Sequence, residues 1–155
     1  MGVFTTVYSR ALEIYKNSNT NIPFPNVVLE GTATFSSEDR LIDDNVDFIT
    51  SGIQVGDIVF TSDTTSYAYV VGIQNENTLL LSHDIMSLGY SYKIYQGVNQ
   101  GCYIYVPPSD LGSYIEVVTL GGDTIQIDDP APGVIPIQVV AVTDNTSIGK
   151  LIALW

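Results

Sequence analysis

Short β-forming runs, broken by turn residues roughly every eight to twelve positions, constrain this chain more than any other feature. Val, Ile, Thr and Tyr fill the runs, while Gly, Pro, Asn and Asp cluster in the breaks. Branched and aromatic side chains suit a pleated, half-buried surface. The pattern therefore predicts an all-β chain organised as small sandwiches or barrels. Its clearest stretch is the last third, where apolar strands are expected at 101–106, 120–127, 135–142 and 148–155. The final strand closes on Trp155, which is expected to pack against protein because a frayed terminus is normally polar.

A second β unit is expected over 26–97, with strands at 27–35, 57–61, 67–74, 78–81 and 92–96. The phrase Gly52-Ile53-Gln54-Val55-Gly56-Asp57-Ile58-Val59 reads as a loop entering a strand. Gly56 there is free to take a backbone conformation barred to other residues. A polar turn over 62–66 and Asn75-Glu76-Asn77 punctuate a meander of the kind that closes into a small barrel.

The N-terminal 25 residues depart from this pattern. Residues 7–16 read either as a helix, with Tyr8, Ala11, Leu12 and Tyr15 on one face, or as an alternating strand. Residues 17–21 form a polar linker, and Ile22-Pro23-Phe24-Pro25 must be extended because each proline biases its predecessor away from helix. The segment 1–25 is read as an extended arm able to lie on a neighbouring acidic subunit. A local strand or helix capping its own domain is the competing reading. The expected organisation is thus an arm (1–25), a small antiparallel barrel-like unit (26–97) and a C-terminal sandwich-like unit (98–155). At 155 residues, such a chain can bury one core or two small ones.

Charge narrows the partners. Seventeen acidic residues against five basic ones give a formal net charge of -12. Phosphate contacts are made largely by Lys and Arg, and Arg10, Lys16, Arg40, Lys93 and Lys150 are scattered along the chain. Neither nucleic acid nor an anionic membrane surface is an expected partner. No apolar run approaches the roughly 18 residues of a membrane-spanning helix. The start, Met1-Gly2-Val3-Phe4-Thr5-Thr6, lacks the basic and apolar regions of a secretory signal. The single cysteine, Cys102, permits no internal disulfide and fits synthesis in a reducing cytoplasm. With no charge beside it to lower its pKa, it reads as a small buried hydrophobe.

Candidate chemistry is thin. His83 is the only histidine, and Ser82 and Asp84 beside it cannot all converge on one point, because neighbours in a strand alternate sides. One histidine and one cysteine cannot close a zinc site. A glycosidase needs one carboxyl raised in an apolar pocket, yet Glu13, Glu30, Glu38, Glu76 and Glu116 all lie in polar or alternating contexts. Asp43, Asp44, Asn45 and Asp47 form one cluster of hard oxygen ligands, and Asp123, Asp128 and Asp129 form another. Asp and Asn also favour turns by bonding their own backbone, and neither run has the spacing of a helix–loop–helix calcium loop. Gly121-Gly122 precedes a strand rather than a helix, so it reads as a hairpin turn and not a phosphate cradle. No catalytic, cofactor-binding or metal-ligating residue is assigned, and no cofactor is expected.

The C-terminal pieces Tyr105-Val106, Gly121-Gly122-Asp123-Thr124, Pro136-Ile137-Gln138-Val139, the Thr-rich turn 143–147 and Ile152-Ala153-Leu154-Trp155 occur in an order that carries a resemblance. That block resembles a small β-domain of tailed-phage and gene-transfer-agent particle proteins, among them head-spike bases. The turn departs from the pattern, with Asp144-Asn145-Thr146-Ser147-Ile148-Gly149 in place of a Thr-Gly-Thr-Thr-Ala-like run. More loosely, Gly31-Thr32-Ala33-Thr34, Leu41-Ile42-Asp43, Val55-Gly56-Asp57-Ile58-Val59 and Leu79-Leu80-Leu81-Ser82 resemble a module of marine-phage structural proteins. The resemblance implies a non-enzymatic virion protein on the head surface, as decoration (cement) protein or spike base. It implies action through contacts with a major capsid protein or other virion proteins, and a homo-oligomer, most simply a trimer. A neck, tail or baseplate adaptor and a carbohydrate- or receptor-binding module are the competing functions.

Overall fold

The computed structural model describes residues 7–98 and 100–155. Every regular element among them is a strand: β1 (Ala11–Tyr15), β2 (Val27–Thr32), β3 (Arg40–Ile42), β4 (Ile58–Thr61), β5 (Ser66–Asn75), β6 (Thr78–Leu81), β7 (Ser91–Tyr95), β8 (Cys102–Val106), β9 (Tyr114–Thr119), β10 (Thr124–Asp128), β11 (Gly133–Val142) and β12 (Lys150–Leu154). They form two six-stranded sheets, antiparallel throughout, in two compact units. The all-β expectation and the two β units are as the sequence predicts.

The units divide at other points than expected. Among the described residues, unit 1 comprises 7–16 with 100–155, and unit 2 comprises 17–98. Within the segment read as an arm, residues 11–15 form β1, paired with β12 from Ala11–Leu154 to Tyr15–Lys150. This decides between helix and strand. Ile14 points inward and is 1% exposed, so β1 belongs to its own domain rather than leaving it. Residues 17–25 belong to unit 2, where Ile22, Pro23 and Pro25 are buried. They are fastened there by bonds from the Asn21 amide to the Tyr69 hydroxyl (2.8 Å) and from the Phe24 amide to the Gln96 carbonyl (3.1 Å).

Unit 1 has the strand order β1-β12-β8-β11-β9-β10. In β8, Cys102, Ile104 and Val106 are buried while Tyr103 and Tyr105 are only partly so, the period of two expected when one face of a strand packs. Ile115 and Val117 of β9, Val139 of β11 and Ala153 of β12 are also fully buried. Burying such side chains contributes about 1.5–3 kcal/mol each for the larger ones. Strand β11 lies between β8 and β9, with Val139 opposite both Cys102 and Thr119, and slips register between Ile135 and Val139 against β8 and between Val139 and Ala141 against β9. Such bulges bend and twist the strand that carries them. Cys102 is 1% exposed, and its Sγ lies 3.5 Å from the Val139 carbonyl.

Unit 2 has the order β2-β7-β4-β5-β6-β3 around a core that includes Leu41, Phe48, Val59, Val70, Leu79 and Ile94. The strand predicted over 27–35 stops at Thr32, because the chain turns to bridge Phe35 with Ile42. That bridge links the continuation of β2 to β3, so the sheet curls round its core in a barrel-like form. Gly56 has φ 99°, in the left-handed region its loop was expected to need. Strands β3 and β9 were not anticipated. The strand predicted over 120–127 begins only at Thr124, since 120–123 turn the β9–β10 hairpin, with Gly122 at φ 94°.

Candidate functional site

Antiparallel pairing places directly opposed residues on the same face. In unit 1 this builds two rows on the face opposite the buried one. Glu13, Ile152, Tyr105 and Val134 form one row across β1, β12, β8 and β11. Ala11, Leu154 and Tyr103 form the next. The Tyr8 ring meets the Tyr103 ring edge-on, with centroids 5.8 Å apart. Ile152, Leu154, Tyr103 and Tyr105 are partly buried, and Val134 is exposed. The result is a tyrosine-bearing apolar face, made of side chains that the alternation had to send outward once Ile104, Leu151 and Ala153 turned inward.

One corner of this face is charged. Lys150 Nζ lies 2.9 Å from Glu13 Oε2, and the Tyr15 hydroxyl donates to Glu13 Oε1 at 2.7 Å. The hydrogen bond from Lys150, with that from Tyr15, holds the Glu13 carboxyl below its ordinary range. The same contacts raise Tyr15 and Lys150. All three groups are solvated, so the pair orders the corner more than it stabilises the fold.

A second ordered feature joins the Thr-rich turn to β9. Glu116 accepts hydrogen bonds from the Thr143 hydroxyl (2.7 Å) and from Asn145 Nδ2 (2.8 Å), which lower its pKa in that order of importance. The Glu116 and Tyr114 amides donate to the hydroxyls of Thr146 (2.9 Å) and Ser147 (2.8 Å). Side-chain oxygens here stand in for the carbonyls of a neighbouring strand. Lys16 reaches the same turn, donating to the Thr146 carbonyl at 2.9 Å. Glu116 is thus a structural tie, a role that its alternating context alone did not reveal.

The other candidates serve turns. Asp43 is 2% exposed; its Oδ1 accepts the Asn45 amide and side chain, and its Oδ2 accepts the Tyr92 hydroxyl at 2.7 Å. Asp47 Oδ1 accepts the amides of Ile49 and Thr50, which lowers its pKa. Asp129 Oδ1 accepts the Gly112 backbone amide, Asp128 Oδ1 accepts Gln126 Nε2, and the Asp123 backbone amide donates to Thr119 Oγ1. Among the described residues no three His, Cys, Asp or Glu side chains are grouped to hold a metal ion. Ser82 Oγ lies 3.0 Å from His83 Nδ1, but it also accepts the Tyr69 amide at 2.9 Å, tying the end of β6 to β5. Glu30, Glu38, Glu76 and Asp84 are exposed.

One polar residue that the sequence reading passed over is central to unit 2. Asp57 is 8% exposed, and its carboxylate accepts the amides of Gln54 (2.9 Å) and Gly97 (3.2 Å). It locks the loop before β4 to the segment after β7. Its position just after Gly56 was the available signal.

Comparison with protein-family models, with curated proteins and with solved structures gave no match to this chain.

Proposed function

We propose that this chain is a non-enzymatic structural protein of a tailed-phage virion, set on the head surface as a capsid decoration or spike-base protein. It works through oligomeric contacts, and the outward face of unit 1 supplies them. The observation that carries this reading is the pair of rows Ile152-Tyr105-Val134 and Leu154-Tyr103, with Tyr8 beside them. Tyrosine-rich apolar surface of this kind is favoured in the cores of protein interfaces. The resemblance of the C-terminal block supports the same reading. Its pieces fall in β8, in the β9–β10 turn, in the bulged part of β11, in the turn tied to Glu116, and in β12 with the residue after it. The net charge of -12 sets the protein apart from packaged DNA. A neck, tail or baseplate adaptor would use the same face.

A recognition module is the second reading, favoured by tyrosine rings standing beside the Glu13–Lys150 corner, where a sugar could stack and hydrogen-bond. Light scattering on the purified protein, followed by co-sedimentation with empty capsids, separates the two. A trimer that sediments with capsids, and that Tyr105→Ser with Ile152→Ser dissociates, upholds the assembly reading. A monomer that ignores capsids but binds glycans overturns it.

A further inference from the structure

Among the large apolar side chains that unit 2 leaves exposed, two stand on loops bonded to one another. Phe35 is 65% exposed and Leu88 is 66% exposed. They stand on two loops, 33–39 and 82–90, that are bonded together along their length. The Ala33 amide donates to the Tyr90 carbonyl (2.9 Å), and the Gly89 amide donates to the Ala33 carbonyl (2.9 Å). The Leu88 amide donates to Ser36 Oγ (2.6 Å), and the Leu81 amide donates to the Asp39 carbonyl (2.8 Å). Single exposed hydrophobes are ordinary on protein surfaces. Two such side chains on loops fixed to one another are a different matter, since Ser36 follows Phe35 in the chain and grips the backbone of Leu88.

The surroundings of the pair are anionic. Glu38 and Asp39 lie at the turn between Phe35 and β3, and Asp84 lies on the second loop; all three are exposed. Asp44 is also exposed, and its amide is bonded to Oγ1 of Thr34, the residue before Phe35 (3.0 Å). The neighbouring cation, Arg40, is turned to Gln74 Oε1 (3.2 Å) and to the Glu38 carbonyl (3.0 Å). The two bonded loops and the turn beside them therefore carry two exposed apolar anchors and four exposed carboxylates.

We propose that this loop pair docks a segment of another protein that combines aliphatic side chains with lysines or arginines. Its aliphatic groups pack on Phe35 and Leu88, and its cations meet Glu38, Asp39, Asp44 and Asp84. A second copy of this chain is a poor occupant, because a molecule of net charge -12 brings like charge to an acidic rim. The inference rests on unit 2 alone and is independent of the virion reading, so capsid binding plays no part in its test.

The test uses the full chain and a fluorescein-labelled peptide of alternating lysine and leucine, followed by fluorescence anisotropy. A lysine–serine peptide of the same length is the charge-only control. Phe35→Ser and Leu88→Ser are each expected to weaken binding by at least about tenfold, the change that 1.4 kcal/mol produces. Val55→Ser and Leu111→Ser, at exposed apolar positions elsewhere, are expected to leave it unchanged. The double variant Glu38→Lys with Asp84→Lys, which touches no core residue, should weaken binding and flatten its salt dependence. Equal binding of the lysine–serine peptide would reduce the effect to charge adsorption and overturn the proposal. So would binding indifferent to Phe35→Ser and Leu88→Ser, or no binding at all. Self-association of the parent protein that Phe35→Ser abolishes would assign the surface to a second copy instead.

Discussion

The Tyr92 hydroxyl donates a 2.7 Å hydrogen bond to Oδ2 of Asp43, and both residues are buried in unit 2. Gly31 lies over the pair: a Cβ added there would sit 2.6 Å from the hydroxyl and 2.7 Å from the carboxylate oxygen. The ring of Tyr92 also packs against Phe48, with centroids 6.5 Å apart. A β2 residue, the loop after β3 and a β7 side chain thus meet at one polar point inside an apolar core.

Replacing Tyr92 with Phe removes that donor and leaves a buried carboxylate with one partner fewer. The expected cost is about 1.5–3 kcal/mol, the range for hydrogen bonds to charged groups. The single tryptophan, Trp155, is in unit 1. Urea unfolding of Tyr92→Phe should therefore shift the far-UV circular dichroism transition and leave tryptophan fluorescence in place. Equal shifts in both signals would show the two units unfolding together.

The same residue predicts an alkaline limit. Burial first, then the bond to Asp43, pushes the Tyr92 hydroxyl well above the ordinary tyrosine value. A group raised on folding contributes stability that is complete below its unfolded pKa, about 10, and that falls as pH rises beyond it. Parent protein should lose stability between about pH 10 and pH 12, and Tyr92→Phe should lose less over that interval. Parallel losses in the two proteins would remove Tyr92 as the cause.

Gly97→Ala should be severe. A Cβ at that position would lie 1.7 Å from the Gly56 carbonyl oxygen, a backbone atom with no rotamer to escape into. The loop before β4 must move, and the Asp57–Gly97 bond goes with it. The expected loss is about 3 kcal/mol or more, above the usual range for overpacking. Thermal unfolding followed by circular dichroism measures it; a change below about 1 kcal/mol would mean that the loop yields freely.

Deleting residues 1–16 should destabilise unit 1 rather than trim a dispensable tail. It removes Ile14 from the core, all of β1 and the Lys16 bond to Thr146. Loss of Ile14 packing alone is worth about 2–5 kcal/mol. Trp155 fluorescence should report unfolding at lower urea, because its amide and carbonyl both pair with Arg10. An unchanged midpoint would return this segment to the status of an arm.

Glu116 carries a prediction at acid pH. Its carboxyl is held low by Thr143, then Asn145, so it favours the folded state above the ordinary carboxylate range. That contribution is lost as pH falls through the depressed folded value. In Thr143→Ala the NMR titration of Glu116 should move up toward the ordinary value. No movement would leave Asn145 as the sufficient cause.

The fold class was legible because alternation is legible: Cys102, Ile104 and Val106 go inward as Tyr103 and Tyr105 go outward, and the sequence spells this directly. Pairing partners were not legible. Strand β1 gave equal support to helix and strand because only the contact with β12 decides its shape. Strand β9 follows the turn-forming Pro107-Pro108-Ser109-Asp110, and the bonds that tie its Glu116 to Thr143 and Asn145 come from residues some thirty positions away. Strand β3 is three residues long and exists through its partner β6. The candidate faces depend on register in the same way. Tyrosines were visible as fillers of the β runs, whereas the row Ile152-Tyr105-Val134 joins residues far apart in the chain.

The strand order of unit 1 also sets a timetable for the ribosome. Strand β1 is made first, yet its pairing partner β12 is made last, and all of unit 2 is synthesised between them. A nascent chain can finish the inserted unit while β1 still waits with its edge unpaired. Until β12 emerges, the unpaired backbone of β1 is open to pairing with the wrong strand, so the yield of folded protein depends on the order of synthesis as well as on the finished contacts.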